Sequence, residues 1–199
     1  AATFSNGPVM VYFGQTLGER GMDSEGFSGR DGRTTIFDYW TVDTICRWRN
    51  KGRFDGRRLT PQETDLQQFY SRLLHVAAEE KAVNGGDFYD LMYVNMCCAG
   101  FNPHRHYAYL RRAGEEVILC VVNFDEADAN VSLNIPQHVF ELYSLWPASR
   151  IRAKDLLSGT SCNVSFCPKQ PTTITVPALC GVMLKMKLHG KGRHADILP

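Results

Sequence analysis

The chain has 199 residues, of which 44% are hydrophobic and 22% charged, a composition typical of a globular protein. This mixture excludes an intrinsically disordered chain, a collagen and a coiled coil. The formal net charge of +1 argues against a dedicated nucleic-acid-binding protein, and no apolar run approaches the ~20 residues of a membrane span. We therefore expect neither nucleic acid nor a membrane among its partners.

The seven cysteines are irregularly spaced and include no C-x-x-C pair, so the sequence does not indicate a structural zinc site. Most of them have apolar neighbours, which predicts buried free thiols. The alternative is one disulfide, for which Cys162 and Cys167 are the closest pair. Localisation stays open, because a periplasmic or extracellular chain and a cytoplasmic one all fit this cysteine pattern.

The first predicted element is a strand over residues 9–13, a continuous apolar run typical of a strand buried on both faces in a parallel sheet. Residues 14–33 contain six glycines and form a long loop, of a kind that is often functional. An aromatic segment over residues 34–40 follows. Residues 42–51 are then expected to form a short helix.

A strong helix start follows at residues 60–63, where Thr60 can cap, Pro61 suits the first turn and Glu63 can close a capping box. Apolar side chains then recur at spacings of three and four, which predicts a core-facing helix to about Val83. These apolar positions are Leu66, Phe69, Tyr70, Leu73, Leu74 and Ala77. The glycine-containing residues 84–86 end the helix.

The second half of the chain alternates apolar and polar residues in short segments. Residues 107–112 and 116–123 flank an Ala-Gly pair and predict a β-hairpin. Further short strands are predicted at residues 131–135, 140–144, 152–157, 163–166, 172–176 and 180–188. Several short strands at roughly ten-residue spacing are typical of an antiparallel sandwich.

The stretch at residues 7–19 reads Gly-Pro-Val-Met-Val-Tyr-Phe-Gly-Gln-Thr-Leu-Gly-Glu. It resembles the eighth barrel strand of the α-amylase family of glycoside hydrolases, which has the pattern Gly-x-Pro-x-x-Tyr-Tyr-Gly-(Gln/Asp)-Glu. Gly7, Tyr12, Gly14 and Gln15 fall in place. The proline lies one position early, and Thr16 stands where glutamate is usual.

Later stretches are similar to the same family in the same order. Residues 32–40 and the helix that opens at Thr60 resemble the end of its catalytic barrel, and residues 107–124 resemble the first hairpin of its C-terminal β domain. Residues 155–159 and 176–184 resemble later strands of that domain. The resemblance implies an α+β fragment: a helical and loop remnant of a (β/α)8 barrel over residues 1–102, followed by an antiparallel β-sandwich over residues 103–199.

The resemblance also implies where the chemistry lies. The family cleaves α-glucosidic bonds with acidic residues on its fourth, fifth and seventh barrel strands, which would precede residue 1. We therefore expect no catalytic residue, metal site or cofactor in this chain, although calcium is an ion that the parent enzyme could bind. The partners would be the preceding barrel residues and, through the whole enzyme, an α-glucan or maltooligosaccharide.

In that whole enzyme the long loop would line the outer substrate cleft, because loops after barrel strands build such clefts. The side chains expected to contact sugar there are Tyr12, Gln15, Arg33, Tyr39 and Trp40. The expected role of the chain itself is structural. The main alternative is a non-catalytic α-glucan-binding module that uses Tyr143 and Trp146, and a third is an unrelated, self-contained two-domain protein.

Other charged or metal-ligating residues are interpreted more simply. The loop carboxylates Asp23, Glu25, Asp31 and Asp38 are expected to be solvated, with a carboxylate pair as the alternative. The His104-x-His106 pair is interpreted as the polar start of a strand, since a metal needs a third ligand. The basic residues over 47–58 and 185–193 are interpreted as solvated charge.

Overall fold

The computed structural model describes residues 2–20, 42–168 and 170–191. Within it the chain divides into two compact units: a helical unit over Gly7–His75, and a sheet unit made of Thr3–Asn6 with Val76–Pro199. The division lies near residue 75, whereas the sequence predicts a domain boundary after residue 102. That predicted boundary concerns the parent enzyme's domains and stays a prediction.

The helical unit begins with a 3₁₀ turn, Gln15–Leu17, and continues with the helices α1 (Asp43–Arg49) and α2 (Pro61–Glu79), of which α2 runs on into the sheet unit. A small core forms where the turn meets α1, and Leu17, Val42 and Ile45 are buried in it. The short helix predicted over residues 42–51 is therefore confirmed, and a second 3₁₀ turn over Asn50–Gly52 follows α1.

The start of α2 has the capping box that the sequence predicts. The Thr60 N–H donates to Glu63 Oε2 at 2.8 Å, and the Glu63 N–H donates to Thr60 Oγ1 at 3.2 Å. Arg47 of α1 donates to the same carboxylate, with Nη2 2.5 Å from Oε1. This hydrogen bond is the largest of the effects that hold the pKa of the Glu63 carboxyl below its ordinary value. The ion pair thus joins α1 to the first turn of α2.

Three further short helices lie in the described part of the sheet unit: α3 (Lys81–Asn84), α4 (Met92–Asn95) and α5 (Gln137–Leu142). The long helix predicted to reach Val83 is interrupted at Glu80, whose backbone is extended. It ends as predicted before Gly86, where a Cβ atom would lie 2.4 Å from the Ala82 oxygen and 2.3 Å from the Arg112 oxygen. Only glycine fits this close approach.

The described residues of the sheet unit form eight strands. They are β1 (Asp87–Asp90), β2 (His106–Ala113), β3 (Glu116–Asn123), β4 (Ala129–Leu133), β5 (Ala148–Asp155), β6 (Ser161–Phe166), β7 (Thr172–Val176) and β8 (Gly181–Lys187). Six of them make one sheet in the order β1-β2-β3-β8-β5-β6, and β4 pairs with β7 in a second sheet. All the pairings are antiparallel. The predicted antiparallel β-sandwich is confirmed.

The core of the sheet unit follows from the alternation that the sequence shows. On β3, Val117, Leu119 and Val121 point to the same side and are at most 1% exposed. They join one apolar cluster with β4, β7 and β8 and with α5, where Phe140 packs edge-to-face on Phe166 at 5.5 Å between ring centroids. Burial of this shared face is the main source of stability for the two sheets.

Two predicted elements differ in the structure, and one strand of the structure was not predicted. Residues 9–12 have no regular secondary structure, because no described strand lies beside them to supply hydrogen bonds. The strand predicted at residues 140–144 is instead the end of α5 and a turn, since Val139 and Phe140 enter the core from a helix that starts after Pro136. The edge strand β1 was not predicted, because its sequence is short and half charged.

The cysteines differ in how far they are exposed to solvent. Cys120 is buried, which raises the pKa of its thiol to about 12, whereas Cys97, Cys162 and Cys180 are exposed. The expectation that most thiols are buried is therefore wrong. Cys162 is a thiol, so the alternative disulfide with Cys167 does not form.

None of the helices in the described part of the chain has the length and apolarity that a membrane span requires.

Candidate functional site

The candidate sugar-contacting residues that the structure describes are Tyr12 and Gln15, which lie in the helical unit on either side of Gly14. The Gln15 side chain accepts a hydrogen bond from the Tyr12 N–H at 3.0 Å. It also donates from Nε2 to the hydroxyl of Tyr70, on α2, at 2.8 Å. The amide of Gln15 is thus engaged at both ends within the unit, where it holds the turn onto α2.

The turn is tightly constructed around Gly14, which has a φ of 76°. A Cβ atom at this position would lie 2.5 Å from the Cβ of Glu19, so a glycine is required on both conformational and steric grounds. The Glu19 carboxylate in turn accepts a hydrogen bond from the Thr44 hydroxyl at 2.6 Å. Contacts with α1 and α2 therefore fix the backbone position of Tyr12.

Tyr12 itself is 51% exposed, which leaves much of its ring open to solvent. The other three candidates, Arg33, Tyr39 and Trp40, lie outside the described residues, as do the loop carboxylates Asp23, Glu25, Asp31 and Asp38. The structure therefore brings together Tyr12 and Gln15, and the grouping of all five residues stays a prediction.

The two aromatic residues that were proposed for a glucan-binding module differ sharply in their exposure to solvent. Tyr143 is only 7% exposed and packs in the core of the sheet unit, so it offers no face to a sugar. Trp146 is 57% exposed, and the Lys191 ammonium lies 5.1 Å from its ring centroid. Of this pair only Trp146 has a ring that a ligand could reach.

The histidine pair does not form a metal site among the described residues, where no cluster of three metal-ligating side chains occurs. His106 is buried, and its Nδ1 accepts a hydrogen bond from the Asn102 N–H at 3.0 Å. Burial lowers the pKa of its imidazole, because desolvation disfavours the charged ring. His104 is exposed. The interpretation of this segment as the start of a strand agrees with His106 as the first residue of β2.

Some exposed aromatic groups were not identified from the sequence. Trp48 and Phe54 meet edge-to-face at 5.0 Å between ring centroids. Tyr93 is exposed, and its hydroxyl is 2.6 Å from that of Tyr89. Helical and strand periodicity predict which side chains are buried but give no signal for contacts between aromatic side chains of different elements.

Comparison with known proteins gives a likeness in structure. No protein-family model and no curated protein matches the chain by sequence. The crystal structure of AmyP in complex with maltose is 20% identical and has a TM-score of 0.55, covering 92% of this chain and 32% of that one. The maltogenic α-amylase AmyB from Thermotoga neapolitana is 21% identical at a TM-score of 0.47, covering 64% and 26%.

A third solved structure, the α-amylase from Geobacillus thermoleovorans complexed with acarbose, is 15% identical at a TM-score of 0.43, covering 68% of this chain and 26% of that one. The chain thus spans a quarter to a third of the length of these enzymes. The match to AmyP includes both units of this chain and agrees with a C-terminal portion of a longer protein. The resemblance to the α-amylase family is therefore confirmed as a likeness in fold, and the chain has the fold of a C-terminal part of an α-amylase-family enzyme.

Proposed function

We propose that the chain is the C-terminal part of an α-amylase-like glycoside hydrolase acting on α-glucans, and that its own role is structural. The observation that carries this proposal is the exposure of an apolar segment with the pattern of a buried strand. Val9, Met10, Val11 and Tyr12 are 43%, 84%, 39% and 51% exposed. A run of this kind is stable when strands and helices cover both of its faces.

The apolar stripe of α2 supports the same conclusion. Its six apolar residues from Leu66 to Ala77 are all half-buried, whereas the core residues of the sheet unit are almost completely buried. A helix with such a stripe normally buries it against a sheet. Earlier strands of a (β/α)8 barrel would cover both the stripe and residues 9–12, and would also supply the carboxylates.

Glycoside hydrolysis of the retaining type needs two carboxyl groups on opposite sides of the scissile bond. In a barrel enzyme they come from the ends of several different strands. The domain assignment that follows is the barrel end over residues 1–102 and the C-terminal sandwich over residues 103–199. Tyr12 and Gln15, with Arg33, Tyr39 and Trp40, would then lie at the rim of the cleft of the whole enzyme.

We expect the purified 199-residue chain to release no reducing ends from maltoheptaose, because both carboxyl groups would lie on barrel strands that precede residue 1. The measurement is a reducing-sugar assay over several hours, with Asp23→Asn and Asp31→Asn variants as controls for the loop carboxylates. Hydrolysis that either variant abolishes would show a catalytic site within this chain and refute the structural role.

The second candidate function is α-glucan binding by the sheet unit without chemistry, and the exposure of Trp146 favours it. Sugar rings stack on accessible aromatic faces, and Trp146 is more than half exposed. The AmyP structure contains maltose, which makes an α-glucan the natural probe.

If this second candidate is correct, soluble starch in a native gel slows migration of the chain, and Trp146→Ala removes most of that retardation. Trp48→Ala is a matched control, since Trp48 is also exposed but lies in the helical unit. Equal migration with and without starch would exclude the binding module and leave the structural role.

A further inference from the structure

A groove with a volume of about 760 Å³ lies on the sheet unit, where β3, β8, β5 and β6 run side by side. Its charged lining residues come from β5, from β8, and from β3 with the turn before it. They are Arg152, Lys154, Lys185, Lys187, Glu115 and Glu116. We call this feature the basic groove. Lys185 and Lys187 were interpreted from the sequence as solvated charge, and Arg152 and Lys154 were not singled out.

The charges in the basic groove are unequally paired. The Lys185 ammonium lies 2.5 Å from Glu80 Oε2 and 2.9 Å from Glu116 Oε2, so two carboxylates hold it. Lys187 lies 3.6 Å from a Glu115 oxygen. Arg152 and Lys154, by contrast, are exposed and form no ion pair with any residue that the structure describes. The positive charge available to a ligand therefore lies on β5.

The two uncompensated positive charges lie close together on β5. Lys154 stands directly opposite Lys185 across the β5–β8 pairing, but Glu80 and Glu116 already balance the charge of Lys185, so the charges left uncompensated among the described residues are those of Arg152 and Lys154. Arg152 and Lys154 point to the same side of β5 and their Cα atoms are about 7 Å apart, at ~3.3 Å per residue. One tetrahedral oxyanion between them could accept hydrogen bonds from both side chains.

The two sides of the basic groove differ in what they offer a ligand. The β5–β6 side presents the cationic donors of Arg152 and Lys154 and the hydroxyl of Ser161, which lies opposite Lys154. The β3 side presents the acceptor carboxylates of Glu115 and Glu116. Because β8 lies between β3 and β5, the two sides are about 10 Å apart at a strand spacing of ~4.8 Å. A ligand that uses both needs an anionic end and an end with hydroxyl groups.

We propose that the basic groove binds a phosphate or sulfate ester of a sugar, with the oxyanion between Arg152 and Lys154 and sugar hydroxyls donating to Glu115 and Glu116. Arginine suits the oxyanion because its planar guanidinium can donate two parallel hydrogen bonds to it. Free inorganic phosphate shares the oxyanion chemistry but not the contacts on the β3 side. The proposal rests on the charges of the sheet unit and is independent of the amylase-like function.

Isothermal titration of the 199-residue chain at low salt tests this with three probes: glucose 6-phosphate, inorganic phosphate and glucose. We expect glucose 6-phosphate to bind at least fivefold more tightly than inorganic phosphate, and glucose to give no signal. Added NaCl should weaken binding, since screening acts on exposed charges. The double variant Arg152→Gln/Lys154→Gln should weaken glucose 6-phosphate binding at least tenfold.

Two variants complete the design. Glu115→Gln should reduce the preference for the ester over inorganic phosphate, because it exchanges an acceptor carboxylate for an amide. Arg105→Gln removes an exposed arginine that does not line the basic groove and should change neither affinity. Far-UV circular dichroism confirms that each variant is folded. Absence of glucose 6-phosphate binding, or binding that the double variant leaves intact, overturns the proposal. Equal affinity for both phosphates overturns the assignment to a sugar ester.

Discussion

Replacing Arg111 with leucine is expected to lower the free energy of unfolding by at least about 3 kcal/mol, because two buried and two part-buried carbonyl groups lose their donor. Arg111 is only 1% exposed, although it lies on a strand. Its guanidinium donates to backbone oxygens of α3, of the turn after it and of the N-terminal segment. These acceptors are the oxygens of Ala82, Val83, Gly86 and Phe4, together with the side-chain oxygen of Asn6.

The expected loss exceeds that of one ordinary hydrogen bond because leucine would leave the buried oxygens of Ala82 and Val83 without this donor. Equilibrium denaturation in urea measures it, with Arg105→Leu as the matched control. Arg105 is exposed, so its replacement should change the free energy of unfolding by less than about 0.5 kcal/mol. Similar values for the two variants would show that Arg111 is not the link between residues 3–6, α3 and β2. If Arg111→Leu does not fold, Arg111→Lys gives a graded measure of the same contacts.

Arg111 illustrates what the sequence could and could not predict. The alternation of residues 107–112 placed it on a strand, and the hairpin with residues 116–123 is confirmed to within one residue at its ends. Periodicity alone treats an arginine at this position as exposed. Its burial depends on residues 3–6 and α3, which are distant in sequence, and no local pattern reports such contacts.

Local signals were most reliable where short-range hydrogen bonds decide the structure. The capping box of Thr60 and Glu63 needs only four consecutive residues, and it forms as predicted. The strand over residues 172–176 is confirmed at both ends, because its alternation matches the burial that β7 shows. The strand predicted at residues 140–144 was wrong because long-range contacts decide its structure. A short apolar run fits either a strand or a helix, and the core contacts of Phe140 decide between them.

The candidate site was less predictable than the fold. The apolar run over residues 9–13 was expected to be a buried strand, yet strand structure depends on neighbouring strands that local sequence cannot supply. Gln15 was proposed to contact sugar, and its hydrogen bonds to Tyr12 and Tyr70 could not be foreseen from spacing. The basic groove escaped notice because Arg152 and Lys185 belong to strands that are neighbours only in the folded sheet.

The second large effect is expected at Asp155, at the end of β5, where Asp155→Ala should lower the free energy of unfolding by about 2–4 kcal/mol. Asp155 is 6% exposed, and its carboxylate accepts hydrogen bonds both from β8 and from the β5–β6 turn. Oδ1 accepts from the Met183 N–H of β8 at 2.9 Å, and Oδ2 accepts from the Ser158 hydroxyl at 2.5 Å. One side chain thus fixes both the β5–β6 turn and the junction with β8.

Asp128→Ala is the matched control for this prediction, since Asp128 is exposed and accepts a hydrogen bond from the Ala178 N–H at 2.9 Å. We expect its replacement to cost less than about 1 kcal/mol. Asp155→Asn keeps the shape of the side chain but removes its charge. The amide nitrogen would then place a donor beside N–H groups that need an acceptor. A cost for Asp155→Ala no greater than that for Asp128→Ala would refute the argument. A large cost would show that the β5–β6 side of the basic groove is held in place by a single buried carboxylate.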